Sequence, residues 1–180
     1  MEIIKPNKQQ VDDCYKIVQS LSSERSSSGE KGFMHAHQPR EDWLRYEQEG
    51  VFYAASDNGQ IVGFVIAMPL GGPDTEHLEG ARGSVSWTQN GVLAIPNLYF
   101  IEKIAVDESR MGKGIGRKLY DYLFSKHPEL TFFTALVEKP LPNKASEAFH
   151  TRMGFNRVAT FVDDSFGDLE KYQSGVFLRS

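Results

Sequence analysis

The chain has one cysteine, Cys14, in 180 residues. A single thiol excludes an intrachain disulfide and any metal site built from several cysteines, which fits a reducing compartment and places the protein in the cytoplasm. Long apolar runs are missing too. No stretch approaches the ~18 residues of a membrane span, and Met1-Glu2-Ile3-Ile4-Lys5-Pro6 lacks the apolar core of a secretion signal. A surplus of positive charge is also absent, with 20 Lys and Arg against 24 Asp and Glu, a net charge of -4 and a pI near 5.7. That balance argues against a protein that coats itself on nucleic acid. Histidines are few, and none of His35, His37, His77 or His127 shows helical metal-ligand spacing with a third ligand nearby, so no metal is expected. What remains is ordinary globular material, with 40% hydrophobic and 12% aromatic residues. This length favours one domain over residues 1–180 that folds without a disulfide or metal.

The order of elements points to an α/β (α+β) protein with a mixed, mostly antiparallel sheet of about seven strands flanked by helices. Residues 2–5 form a short strand before Pro6. Val11, Cys14, Tyr15, Val18 and Leu21 then make one helical face. Cys14 reads as a small buried hydrophobe rather than a nucleophile. The serine-rich stretch 20–32 reads as a mobile loop, and 41–49, with Trp43, Leu44 and Tyr46, as a second helix closed by Gly50. Strands at 51–55 and 61–68 flank Asn58-Gly59, a hairpin signal. Residues 71–96 break the rhythm and read as an insertion, with a brief apolar run at 84–87. The nearly continuous apolar run 98–106 predicts a central strand buried on both faces, so the charges of Glu102 and Lys103 require a reason. A helix at 114–127 follows, with Ile115, Leu119, Tyr122 and Leu123 inward. Then come a strand at 131–137, a helix at 143–153 with Ala145, Ala148, Phe149 and Met153 inward, and strands at 155–162 and 175–178.

Between the central strand and the clearest helix lies Met111-Gly112-Lys113-Gly114-Ile115-Gly116-Arg117-Lys118. Glycines let backbone amides approach a ligand closely, and the first amides of a helix lack internal partners, so this segment suits an anion. Lys113, Arg117 and Lys118 add positive charge. The segment matches neither a Walker loop nor a dinucleotide fingerprint, which would place glycine at Arg117.

With Ile104-Ala105-Val106-Asp107 before it, this segment resembles the Gln/Arg-x-x-Gly-x-Gly/Ala signature of the GNAT superfamily of acyl-CoA-dependent N-acetyltransferases, with Met111 in place of the usual Gln or Arg. A second block downstream, Asn143-x-x-Ser146-x-x-Phe149-His150-x-x-x-Gly154-Phe155, is also similar to that family's. The resemblance implies acetyl-CoA (coenzyme A) as the acyl donor, with Met111, Gly112, Lys113, Gly114, Ile115, Gly116 and Arg117 around its pyrophosphate. It further implies that the strand carrying Ile104, Ala105 and Val106 splays from its neighbour and pairs with the pantetheine arm. Asn143 resembles the family residue that bonds this arm, and it also suits a helix N-cap after Pro142. Ser146 bonds the cofactor or the helix start, and Phe149 supplies an apolar wall.

Two catalytic candidates follow. An alkylammonium acceptor must lose a proton before it attacks, and Glu102 stands where related enzymes often hold a glutamate near the acceptor. The alternative for Glu102 and Lys103 is a pair of structural charges, one to each side of the sheet. His150 takes the place of a family tyrosine thought to protonate the leaving thiolate; the alternative is a helix-surface histidine that packs on the cofactor.

The expected activity is direct acetyl transfer to the primary amine of a small molecule in a ternary complex, since no cysteine lies near the motifs. A protein or peptide acetyltransferase and a non-catalytic acyl-CoA sensor are the alternatives. Neither nucleic acid nor membrane is an expected partner, and terminal strands able to pair between chains leave a homodimer open.

Overall fold

The computed structural model describes residues 1–21, 40–71, 78, 83–166 and 169–179. The loop expected at 20–32 lies almost entirely outside these residues, as do His35, His37 and His77. The elements are β1 (Glu2–Ile4), α1 (Lys8–Ser20), α2 (Arg40–Glu49), β2 (Val51–Asp57), β3 (Gln60–Pro69), β4 (Ser84–Trp87), β5 (Leu98–Val106), α3 (Ile115–Lys126), β6 (Thr131–Lys139), α4 (Lys144–Arg152), β7 (Asn156–Phe166) and β8 (Leu169–Arg179). Eight strands form one open, mostly antiparallel sheet in the order β1-β2-β3-β5-β6-β8-β7-β4. The strand beyond the seven expected is β4, an edge strand inside 71–96 that pairs antiparallel with β7 from Ser84↔Val162 to Trp87↔Ala159. Among the described residues, no helix is long and apolar enough to cross a membrane.

The described residues group into two compact units. The first contains β1, α1, α2, β2, most of β3, residues 101–106 of β5, and α3. Helix α1 starts at a capping box, in which Gln10 N–H donates to Asn7 Oδ1 at 3.1 Å and Asn7 N–H donates to Gln10 Oε1 at 2.9 Å. These bonds satisfy two donors that a helix start leaves unpaired. Val11, Cys14, Ile17 and Val18 are its buried face. The β2–β3 hairpin turns through Asn58 (φ 51) and Gly59 (φ 82), the left-handed pair that a tight two-residue turn requires. Trp43 of α2 is the hub of this core, with the rings of Tyr15, Tyr46, Phe52 and Phe64 at centroid distances of 5.4 to 6.3 Å.

The second unit contains β4, residues 98–100 of β5, β6, α4, β7 and β8. Its core gathers Leu78, Leu98, Phe100, Phe133, Phe161, Tyr172 and Val176. Strands β7 and β8 form a long hairpin, and β6 runs antiparallel to β8. The parallel pairing of β5 with β6 is short, covering Leu98↔Thr131, Tyr99↔Phe132 and Phe100↔Phe133.

Strand β5 departs from burial on both faces. Leu98 and Phe100 are buried and Tyr99 is half-buried; after Phe100 the alternation slips by one, so that Ile101, Lys103 and Ala105 are buried and Glu102, Ile104 and Val106 half-buried. The slip falls where the ladder with β6 ends. A change of pairing partner lets a strand change which side chains face the core.

Candidate functional site

The glycine-rich turn leads from β5 into α3 within the first unit. Asp107 opens it as a side-chain cap, its Oδ1 accepting from Ser109 N–H at 2.9 Å. Gly112 and Gly114 both take φ +75, and nothing stands within 4 Å of where a Cβ would sit on either. The chain thus adopts a left-handed conformation open to one side, which a glycine reaches without strain. Helix α3 begins at Ile115 with Gly114 as N-cap, and no side chain caps it. Its first intrahelical bond runs from Lys118 N–H to Gly114 O at 3.1 Å, so Ile115, Gly116 and Arg117 carry the first-turn amides that lie ahead of the helical ladder. Lys113, Arg117 and Lys118 are exposed. An uncapped helix start with three cations around it suits a phosphate. Met111 is half-buried, and its N–H donates to Glu108 O at 3.3 Å, so this amide serves the turn itself.

Gly63 of β3 admits the strand and helix beside it. A Cβ there would fall 2.9 Å from Ala105 O and 3.3 Å from the Cγ2 atoms of Ile115 and Val106. Arg110, one place before the motif, donates to Asp57 Oδ2 at 3.1 Å and ties the turn to the β2–β3 hairpin.

On β5, the charged ends of Glu102 and Lys103 meet. Lys103 Nζ lies 3.0 Å from Glu102 Oε1, and both side chains are buried, 6% and 8% exposed for Lys103 and Glu102. Tyr46 of α2 donates its hydroxyl to the same oxygen at 3.2 Å. The sequence carried a signal for such an arrangement, because two charges in an apolar strand need compensation. Tyr46 was legible as a residue of the second helix but not as a partner of Glu102.

The second block lies in the second unit. Asn143 caps α4, its Oδ1 accepting from Ser146 N–H at 3.2 Å. His150 is not on the helix surface: it is 1% exposed, between the ring edges of Phe149 and Phe155 at 5.4 and 5.3 Å. Ala148, expected inward, is exposed instead, and Phe149 is half-buried. His150 Nδ1 stands 2.7 Å from Ser146 O, and since a carbonyl only accepts, Nδ1 carries the proton. Ser146 Oγ is 3.3 Å from the same nitrogen. Burial pulls the imidazole pKa down to about 4 against the opposing pull of the Ser146 bond, so the ring is neutral at pH 7, with its lone pair on Nε2.

An unfolded histidine binds its proton near 6.5. Between that pH and about 4 the unfolded chain holds more protons than the folded one, so the contribution of His150 is fully present above about 6.5 and is lost as the pH falls toward 4. Urea unfolding at pH 7 and 4.5 should show a loss of roughly 2 kcal/mol in the native chain that a His150→Leu variant lacks.

Cys14 is fully buried, and burial followed by the Asp13 charge pushes its thiol pKa up. It is no nucleophile. Among the described residues, no group of three His, Cys, Asp or Glu is placed to hold a metal ion.

These features can be compared with known proteins. A model of the "Acetyltransferase (GNAT) family" matches residues 15–155, most of the chain. The chain belongs to the GNAT acetyltransferase family. It is therefore an acyltransferase, and acetyl-CoA is the donor that GNAT acetyltransferases use. Among solved structures, a ribosomal-protein-alanine N-acetyltransferase from Brucella melitensis is similar over 99% of this chain and 99% of its own, with TM-score 0.67 and 16% identity. An aminoglycoside 6'-N-acetyltransferase complexed with coenzyme A has TM-score 0.66 and 14% identity over 99% of this chain and 96% of its own. NAA60 from Arabidopsis thaliana, in complex with a bisubstrate analogue, has TM-score 0.65 and 13% identity over 98% and 95%. At such identities the likeness is one of fold. A search of curated protein sequences returned no significant match.

Proposed function

We propose that this GNAT acetyltransferase is a cytoplasmic enzyme, a single domain over 1–180 with β4 in an insertion at 71–96, that moves an acetyl group from acetyl-CoA to the primary amine of a small molecule. The observation that carries this reading is the turn into α3. Two left-handed glycines with open space above them, three first-turn amides and three exposed cations fit a pyrophosphate. Gly112, Lys113, Gly114, Ile115, Gly116 and Arg117 would hold it, with Met111 shaping the turn. Ile104, Ala105 and Val106 lie beyond the short ladder with β6 and would pair with the pantetheine arm as an added strand pairs. In the second block, Asn143, Ser146 and Phe149 are assigned to the same ligand on the strength of the motif.

Bound acetyl-CoA supplies an acyl thioester. The chain's own part is to orient the acceptor, take its proton and exclude water. Glu102 is assigned as the group that receives the acceptor's proton, directly or through a water, because it is a carboxylate held by two partners on the strand that carries the cofactor contacts. His150, neutral at pH 7, is assigned to pass the second proton that the acceptor nitrogen loses on to the departing thiolate. Direct transfer is supported by the burial of Cys14, which withholds the one thiol of the chain from acyl-enzyme formation. A small acceptor is supported by the 8% exposure of the Glu102 side chain, which calls for a slender amine-bearing end.

The test is thiol release from acetyl-CoA against amines, amino acids, aminoglycosides, polyamines and peptides, with mass spectrometry of the products. A small amine should turn over, and Glu102→Gln should lower kcat about a hundredfold while CoA binding is kept. Turnover of peptides alone would replace the small acceptor with a protein one. Tight CoA binding with no turnover of any acceptor would leave a sensor.

A further inference from the structure

Glu102 is a carboxylate inside an apolar strand, and its surroundings pull in opposite directions. Burial favours the protonated acid, which cannot take a proton from the acceptor. Lys103 Nζ at 3.0 Å and the Tyr46 hydroxyl at 3.2 Å both favour the anion. The lysine is no loose surface charge: it is 6% exposed, and its ammonium also lies 6.0 Å from the centroid of the Tyr46 ring. Arg45, beside Tyr46 on α2, brings a guanidinium carbon 5.3 Å from that ring's centroid from the same element. The charged ends of two adjacent residues of one strand thus meet, and an aromatic from α2 donates to one and lies beside the other. Such closeness costs two desolvations.

We propose that Lys103 is a positioning residue of the transfer reaction: its ammonium, with the Tyr46 hydroxyl, keeps the buried Glu102 carboxylate ionised and aimed at the acceptor. This rests on the reading of Glu102 as proton acceptor. The balance is simple. The acceptor ammonium gives one proton to the Glu102 carboxylate, the neutral nitrogen forms the amide bond as the carbon–sulfur bond breaks, and the thiolate takes up the second proton that nitrogen loses. Lys103 gives up no proton. Its charge sets how far the pH can fall before Glu102 is already protonated and the first step fails.

The experiment has two readouts. In the ligand-free protein, carbon-13 NMR follows the titration of the Glu102 carboxyl in the native chain and in Lys103→Met, Lys103→Arg and Tyr46→Phe. In parallel, the pH profile of kcat/KM is recorded with the amine that turns over fastest. Lys103→Met should move the Glu102 midpoint, and with it the acidic limb, up by about one pH unit or more, leaving a plateau at higher pH. Lys103→Arg should restore the native limb, and Tyr46→Phe should move it by less in the same direction. A Glu102 midpoint unmoved by Lys103→Met, or activity lowered equally at every pH with no shift of the limb, overturns the proposal. If Lys103→Met does not fold, Lys103→Gln and Tyr46→Phe are read by the same criteria. Full activity of Glu102→Gln would instead remove Glu102 from the reaction, an outcome the NMR titration separates from any failure of the pair.

Discussion

Gly114→Asp abolishes CoA binding, with an expected loss of about a thousandfold, or about 4 kcal/mol, in affinity. Gly114 has φ +75 and open space where a Cβ would stand, and it is the N-cap of α3. Aspartate is among the residues that tolerate both a left-handed backbone and an N-cap, so the fold should survive at a cost of about 1 kcal/mol. The side chain, however, would place a carboxylate among the first-turn amides, where a pyrophosphate must sit. Like charges a few ångströms apart repel by several kcal/mol even at an effective dielectric near 20. Gly114→Asn separates the two effects, since it keeps the shape and the backbone demand without the charge. Calorimetric titration with CoA should show the asparagine variant weakened by tenfold or less and the aspartate variant silent, with similar melting temperatures. Native affinity in Gly114→Asp would refute the assignment of this turn.

Trp43→Ala should be the most damaging single change to stability, lowering unfolding free energy by about 3 to 5 kcal/mol in urea. Trp43 is 1% exposed, and four other rings surround it, so truncation leaves a cavity that none of them can fill without moving. Those rings come from α1, α2, β2 and β3, which makes the indole the common contact of the first core. Trp43→Phe should recover about half of the loss. Because Tyr46, which donates to Glu102, meets the Trp43 ring edge-on, the alanine variant should also show a raised acidic limb in its residual activity. A loss below 1 kcal/mol would show that this core repacks freely.

Local signals were the most legible ones. Asn58-Gly59 marked its hairpin because two left-handed residues suffice to define a tight turn. Helix α3 was evident within a residue at each end, although Tyr120 rather than Tyr122 is its fourth buried residue, a choice of neighbouring positions that periodicity resolves poorly. The phosphate-binding turn could be read because it is one continuous segment. What escaped depends on pairing over distance. Strand β4 is four residues long and half exposed, and its partner β7 begins about seventy residues later, so the brief apolar run at 84–87 could be seen but not its place in the sheet. The burial of His150 likewise follows from Phe155, which returns against it after the helix has ended. The meeting of Glu102 with Lys103 is made at the ends of long side chains, which the two-residue alternation of a strand does not describe.

The sealed thiol of Cys14 bears on how this enzyme is to be studied. With its sulfhydryl enclosed between α1 and the rest of the first core, the folded protein adds no reactive sulfur of its own to a colour reaction for liberated CoA. Signal in that assay is product alone, and the same reagent, added to a stored sample without substrate, becomes a count of chains that have opened.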